Sequence, residues 1–318
     1  MNSSLHYSPP PLLFNGHLET IFPALARRVA IAPYQRERIT TPDDDFLDLD
    51  WLKQGSDKLV VLSHGLEGNT TRAYVKGMAR AVFGKGYDVV AWNYRGCSGE
   101  MNRQLRFYHS GATDDLDTVL QHINQKTAYR EIVLIGFSLG GNMTLKYLGE
   151  ERLRPNNIIK AIVFSVPLDL HASCIQISKR ENWLYAKRFL KSLKKKVADK
   201  AAHRKELDTR GLSRIKTLMD FDNYFTGPLH GFQDAIDYYT RCSAIRFISN
   251  ITVPALVVNA LNDPFLSREC FPTDMLQNHP YVKLETPENG GHVGFTQFNG
   301  NGLYWSEVRT LAFLENHD

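Results

Sequence analysis

A serine set between two glycines, Gly136-Phe137-Ser138-Leu139-Gly140, carries the most chemistry in this 318-residue chain. A hydroxyl is a weak nucleophile until a base takes its proton. It becomes useful where a sharp turn pushes Oγ clear of the backbone. Such a turn needs small residues two positions away on each side, so that neighbouring backbones can approach, and Gly136 and Gly140 meet that need. The apolar run 131–137 precedes the serine and a helical pattern over 142–148 follows it. A strand, a turn and a helix in that order are the context the turn requires. The helix start then favours negative charge at the serine. The chemistry expected is acyl transfer through a serine ester. The bland reading is a glycine-rich strand end with a capping serine.

The serine needs a base, and eleven histidines are available. His292 lies in Gly290-Gly291-His292-Val293-Gly294-Phe295, beyond the last strand pattern. Glycines on both sides mark a loop that can approach another loop closely. His64 lies in the turn after the first apolar body strand, where a backbone donor is wanted instead. His17, His109, His171 and His230 are weaker base candidates that could line a cleft. The base in turn needs an acid on its far nitrogen. Asp263 follows the apolar run 254–260, at a strand's carboxyl end, where open sheets build their sites. Asp169, after the preceding strand, is the runner-up. Glu288 shares the loop of His292 and lacks rigid support. As a plain Asp-Pro turn residue, Asp263 would need no partner.

Acyl transfer also develops a negative oxygen that needs fixed donors. The N–H of Leu139 follows the serine directly. A second donor is expected from His64-Gly65-Leu66-Glu67-Gly68, and the N–H of Leu66 is the choice. Gly65 allows the tight turn, and His64 supports the loop.

These residues must be carried by a scaffold, and the periodicity supplies one. The segment 37–52 alternates around a turn at 42–45 and reads as an edge hairpin. Short apolar runs at 58–63, 87–93, 131–137 and 158–165 read as strands. Helical spacing fills 71–83, 114–123 and 142–148 between them. Such alternation means a mostly parallel sheet covered on both faces. From 171 to 250 no strong strand is seen. Helices are expected there over 184–197 and 232–239, the latter with Phe232, Ile236 and Tyr239 facing one way. Strands return at 254–260 and 281–284, and a last helix spans 303–314. Residues 1–35 read as irregular at first, broken by Pro9 to Pro11 and Asn15-Gly16. The fold class is therefore α/β. An N-terminal extension and edge hairpin occupy 1–57, a body 58–170 and 251–318, and a helical cap insertion 171–250.

Composition excludes several classes. Apolar residues make up 43% and charged ones 23%, so a buried core is expected and disorder is not. Four cysteines without a C-x-x-C pair do not form a disulfide scaffold or a zinc cluster, and suggest a reducing, cytoplasmic setting. The polar start 1–13 lacks the features of a signal peptide. No apolar run approaches a membrane span. The chain is +4 overall, yet 179–216 holds 14 Lys and Arg against 4 Asp and Glu, so the body is mildly acidic. That basic stretch is read as a solvated helix face, with peripheral contact to anionic headgroups as the alternative. Nucleic acid is excluded as a partner, because no reading helix or aromatic platform accompanies the charge. No metal or organic cofactor is required, and no phosphate-binding loop is present.

Taken together, the motifs resemble those of the α/β-hydrolase superfamily. More narrowly they are similar to the subfamily joining bacterial YheT-type esterases with eukaryotic ABHD1/2/3-like lipid hydrolases. The resemblance runs through most of the chain. It includes Asn15-Gly16-His17-Leu18-Glu19-Thr20, His64 to Gly68, Asn93-Tyr94-Arg95-Gly96, Gly136 to Asn142, Phe221-Asp222, Phe232, Asp263-Pro264 and Gly291 to Phe295. It implies Ser138, Asp263 and His292 as a triad in the chain order of that superfamily, and hydrolysis of carboxylic esters. Asn262 departs from a second aspartate that such proteins often carry. The cap is expected to set the substrate, with Trp183, Leu184, Phe189, Phe221 and Phe225 lining an acyl pocket or merely packing it down. A short-chain esterase, a lipase or phospholipase, a thioesterase and an amidase remain rivals. A binding protein on the same fold is the other class.

Overall fold

The computed structural model describes residues 6–315, so the first part of the polar start, 1–5, lies outside the described residues. Eight strands are present among the described residues: β1 (Gln35–Thr40), β2 (Phe46–Leu52), β3 (Lys58–Ser63), β4 (Asp88–Asn93), β5 (Glu131–Phe137), β6 (Ile158–Phe164), β7 (Ala255–Val258) and β8 (Val282–Glu285). They form one sheet in the order β1-β2-β4-β3-β5-β6-β7-β8. β2 runs antiparallel to both its neighbours, and β3 to β8 are parallel. The order reverses at β3, which sits between β4 and β5. A crevice opens at such a reversal, outside the carboxyl ends of the strands.

The helices are α1 (Gly16–Ala26), α2 (Ala73–Phe83), α3 (Thr113–Lys126) and α4 (Leu139–Gly149). Between β6 and β7 come α5 (Leu170–Ile177), α6 (Trp183–His203), α7 (Leu218–Phe221), α8 (Gly227–Leu229) and α9 (Ala235–Cys242). α10 (Thr273–Leu276) and α11 (Trp305–Glu315) close the chain. Alternate strand residues divide between the two faces, as a two-residue period demands. Leu59, Val61, Ile132 and Leu134 pack with α3 and α4. Val60, Leu62, Val133 and Ile135 pack with α2 and α11. The result is an α/β-hydrolase fold, with helices on both faces of a largely parallel sheet and α5 to α9 as a helical cap. No described helix is long and apolar enough to cross a membrane. The four cysteines are buried and free.

Several elements differ from their sequence expectation. α1 was not anticipated. Asn15-Gly16 is a helix start rather than a break, because Asn15 Oδ1 accepts the Leu18 N–H at 2.9 Å. α4 begins at once after Ser138, and its first turn is hidden in the glycines. α9 begins at Ala235, where Asp234 caps the Asp237 N–H. Phe232 therefore precedes the helix. Its buried face carries Tyr238, Tyr239 and Cys242, while Ile236 points outward. α6 runs six residues past 197, held by the oxygens that meet Lys200.

One buried ion cluster fixes the loop after β4. The Arg95 guanidinium has no solvent exposure. It donates to Asp115 of α3 at 2.7 and 2.8 Å, and to Asp43 and Asp45 of the β1–β2 turn at 2.9 to 3.0 Å. Asp45 also accepts from Asn102 and from the Arg103 and Gln104 amides. Asn102 Oδ1 in turn accepts from Lys200 of the cap at 2.8 Å. Replacing Arg95 with Met leaves the buried Asp45 without its cation and Asp43 and Asp115 with Arg106 alone, at 2.9 and 3.9 Å. Arg95→Met is expected to lower unfolding stability by about 3–5 kcal/mol, read from a guanidinium midpoint with an unchanged slope. A loss under about 1 kcal/mol would contradict the role given to this cluster.

Candidate active site

The crowding at residues 136 to 141 sets the geometry. A Cβ on Gly136 would lie 2.5 Å from the Gly140 carbonyl oxygen, and one on Gly140 would lie 2.4 Å from that of Ser63. No other residue fits either place. Between them Ser138 adopts φ +54° and ψ −120°, in the left-handed region that L residues avoid. Its N–H donates to the Phe164 carbonyl at 2.8 Å, which ties the turn to β6. The side chain therefore stands above the carboxyl end of β5.

Ser138, Asp263 and His292 come together although 154 residues separate the serine from the histidine. His292 Nε2 lies 2.9 Å from Ser138 Oγ. His292 Nδ1 lies 2.9 Å from Asp263 Oδ2 and 3.1 Å from Oδ1. Asp263 sits in the turn after β7, and its side chain is buried. Its Oδ1 also accepts the Phe265 N–H at 2.9 Å, so the carboxylate cannot swing. The Phe265 ring lies against the imidazole at 4.2 Å. Asp169, the runner-up acid, instead caps α5 through the Ala172 N–H. Glu288 is exposed.

The turn after β3 lies against the serine, since a Cβ on Gly65 would be 3.3 Å from Ser138 Cβ. The amides of Gly65, Glu67 and Gly68 donate to Tyr74 Oη, Tyr108 Oη and the Gly65 carbonyl. Among the described residues the Leu66 amide has no acceptor, and neither does the Leu139 amide at the start of α4. Both residues line the cavity that holds Ser138 and His292. His64 is buried beneath the turn. Its Nδ1–H donates to the Gly65 carbonyl at 2.8 Å and its Nε2 accepts the Tyr94 N–H at 3.4 Å. Burial pushes its imidazole down to about 3, so it stays neutral.

Two supports escaped the sequence reading. The first is Glu19 of α1, which is fully buried. Its carboxylate accepts from the Gly290 N–H and, at 3.1 Å, from Asn262 Nδ2. Asn262 Oδ1 accepts the Gly291 N–H at 3.0 Å, and Thr20 Oγ1 accepts the His292 N–H at 2.8 Å. α1 thus holds the histidine loop. Asn at 262 has both a donor for Glu19 and an acceptor for Gly291. The second support is Glu67. It accepts from Lys196 at 2.6 Å and Ser192 at 2.5 Å on α6, and from Tyr108 at 2.8 Å. Burial acts to raise its carboxyl, but Lys196 and these hydroxyls outweigh burial and hold it below its usual range. The cap helix is fastened to the turn that carries Leu66.

A cavity of about 540 Å³ lies between cap and body. Leu184, Phe189, Phe221 and Phe225 line it, and Trp183 does not, being 53% exposed at the start of α6. His109 and His230 also line it, with rings 4.7 Å apart, and burial holds both below the ordinary histidine range. His17 meets Tyr185 and His171 stacks on Tyr239; the two tyrosines line the cavity and the two histidines do not. Asp222 faces the cavity as well. Burial pushes its carboxyl up to about 6 against bonds from Thr226 and Tyr239. The expected basic face is smaller than the sequence suggested. Lys187, Lys191 and Lys195 are exposed, whereas Lys196 pairs with Glu67 and Lys200 is buried among the carbonyls of Gln104, Leu105 and Arg106. Among the described residues no cluster of His, Cys, Asp and Glu could hold a metal ion.

A reversing parallel sheet with a serine turn above its central strand defines a class, and comparison with known proteins places the chain in it. A profile described as the alpha/beta hydrolase fold matches residues 58–297, so the chain belongs to the α/β-hydrolase family. It is closely related to the bacterial YheT-like esterases. Its identity to YheT of Escherichia coli strain K12 is 35%, over 99% of this chain and 95% of that one. Human phospholipase ABHD3 is 27% identical over 92% of this chain and 74% of its own. The solved structure of the Pyrococcus furiosus esterase Pf2001 superposes with a TM-score of 0.59 at 17% identity. That superposition covers 91% of this chain and 97% of that one, and it bears on the fold alone.

Glu19 gives a direct test of how the histidine loop is held. Its two oxygens accept from two separate donors, so an amide in its place, with one acceptor oxygen, keeps one of the two bonds and fills the same space. Glu19→Ala strips two buried donors of their acceptor, at about 1–3 kcal/mol each. Turnover of a p-nitrophenyl ester is expected to fall at least about tenfold in Glu19→Ala, and Glu19→Gln should recover only part of it. Equal turnover in wild type and Glu19→Ala would remove Glu19 from the account.

Proposed function

We propose that the chain hydrolyses carboxylic esters through an acyl-enzyme on Ser138, with His292 as base and Asp263 as its orienting acid. The observation that carries this reading is the unbroken line of contacts from Asp263 through His292 to Ser138 Oγ, opening into a largely apolar cavity. His292 Nε2 takes the hydroxyl proton as Oγ attacks the ester carbonyl carbon. The carbonyl π pair moves onto oxygen, which the N–H groups of Leu66 and Leu139 receive. The tetrahedral centre collapses, the C–O bond to the alcohol breaks, and His292 protonates the departing alcohol. Water then attacks the acyl-serine with the same histidine as base, releasing the acid and restoring the serine. Asp263 keeps the Nδ1 proton in place and balances the imidazolium. His64 stays neutral and acts only on the loop.

The substrate favoured is an ester with a long acyl chain. The cavity wall is mostly side chains such as Leu184, Phe189, Phe221 and Phe225, and its volume is that of sites for ligands of drug size. Phospholipase ABHD3 and a monoacylglycerol lipase of Saccharomyces cerevisiae, 28% identical over 86% of this chain, are named for acyl lipids. A lipase, phospholipase or thioesterase on long chains is therefore favoured over a short-chain esterase.

The test is a p-nitrophenyl ester series from acetate upward, run on wild type and folded Ser138→Ala. Each methylene buried in the cavity contributes about 0.8 kcal/mol, so kcat/KM is expected to rise about fourfold per carbon until the cavity is full. Ser138→Ala is expected to lose at least about 10⁴-fold at every length. Equal rates in both proteins would sink Ser138 as nucleophile, and a flat length profile would sink the acyl cavity.

A further inference from the structure

We infer that α1 and the start of α6 form a docking face for an anionic phospholipid surface, placed around the mouth of the cavity. The first observation is the inverted amphipathicity of α1. A surface helix normally buries its apolar stripe and shows its charges to water. α1 buries Gly16, Glu19 and Pro23, and Glu19 is its sole charged residue. Ile21, Phe22 and Leu25 point outward instead. Just before the helix, Leu12 and Phe14 are 84% and 77% exposed. The Phe22 ring meets that of Phe298, itself 69% exposed. The start of α6 continues the face, with Trp183 and Leu184 exposed. His17 and Tyr185 join the two helices, with Nδ1 and Oη 3.2 Å apart and rings stacked at 5.8 Å. A contiguous exposed apolar set of this size marks an interaction surface.

Charge decides what covers it. Residues 183–198 contain no acidic residue. Lys187, Arg188 and Lys191 are exposed there and have no carboxylate partner among the described residues. Lys187 stands over the Trp183 ring at 5.5 Å, so the cation and the aromatic ring share one spot. Arg28 is exposed at the far end of α1. An isologous contact with a second copy would bring two sets of these cations into one interface with no acidic residue of 183–198 to offset them. A bilayer with anionic headgroups meets both features, taking the apolar side chains below the headgroups and the cations at their level. The face is also continuous with the cavity, because Ile21, Leu25, Leu184 and Arg188 belong to both. An acyl chain could pass from bilayer to cavity without crossing water. That last step rests on the ester-hydrolase reading, and the docking does not.

The test is sedimentation with vesicles of phosphatidylcholine containing about 30% phosphatidylglycerol, using Ser138→Ala protein so that nothing is consumed. Binding is expected, and it should weaken at least about tenfold in pure phosphatidylcholine or at salt high enough to shorten the Debye length to about 3 Å. Phe14→Ser, Phe22→Ser and Trp183→Ser together should lower partitioning at least about tenfold on any vesicle. Lys187→Glu with Lys191→Glu should lower it on anionic vesicles alone. None of these five side chains lines the cavity, so p-nitrophenyl acetate turnover in the Ser138-bearing versions reports their folding. No sedimentation, or sedimentation untouched by both variants, would overturn the proposal. So would a dimer that Phe14→Ser, Phe22→Ser and Trp183→Ser together convert to monomer in ultracentrifugation. An inactive wild type that still binds vesicles would fail the catalytic reading and leave the docking face standing.

Discussion

The structure depends on one strained residue. Ser138 holds a left-handed backbone that costs about 1–3 kcal/mol, and its surroundings must overdetermine it. They do so by close approach. The backbone of residue 140 lies against the end of β3, residue 136 lies under residue 140, and the Ser138 amide is bonded to β6. Three adjacent parallel strands, β3, β5 and β6, therefore meet at the turn. Their shared register is what keeps Oγ in place. The same sheet then brings Asp263 from the end of β7 and His292 from the loop beyond β8 to the same side. Parallel strands place all their carboxyl ends together, so residues far apart in sequence need only short loops to meet.

The loops themselves are held from outside the body. α1 supplies Glu19 and Thr20 to the histidine loop, and α6 supplies Lys196 and Ser192 to Glu67. Further along α6, Lys200 donates into the loop that Asn102 and Arg95 organise. Burial pushes the Lys200 amine down to about 7 against the pull of Asp45, which places it near the working pH of most proteins. The cap is thus fastened to the body by buried polar contacts rather than apolar packing alone. Breaking one partner of such a contact costs more than the contact itself contributes. This is why the seat of the cap and the shape of the site are coupled.

How much of this was legible in the sequence follows from what periodicity can carry. β3 and β5 match their apolar runs end for end, because buried parallel strands read as unbroken apolar stretches. Ser138, His292 and Asp263 were legible from strand ends and glycine spacing. α1 was not, since its apolar residues face outward and its carboxylate inward, the reverse of the pattern that signals a helix. Asn15 as a cap, with Glu19 four residues on, was the signal available. Lys196 and Lys200 read as parts of a charged face, and only tertiary contact distinguishes them from Lys191 and Lys195. Trp183 read as lining the pocket or packing the cap down, from its apolar character, yet it stands at the first turn of α6, facing out. Side-chain type predicts burial well in strands of a covered sheet and poorly in a helix whose two faces both have work to do.

The central claim is that Ser138 is the nucleophile activated by His292. It is tested most directly by intact-mass analysis after a fluorophosphonate probe, followed by peptide mapping. The account predicts one adduct per chain, located on the peptide bearing Ser138, absent from Ser138→Ala and slowed at least about 10³-fold in folded His292→Ala. An adduct on another residue, or equal labelling in Ser138→Ala, would contradict it.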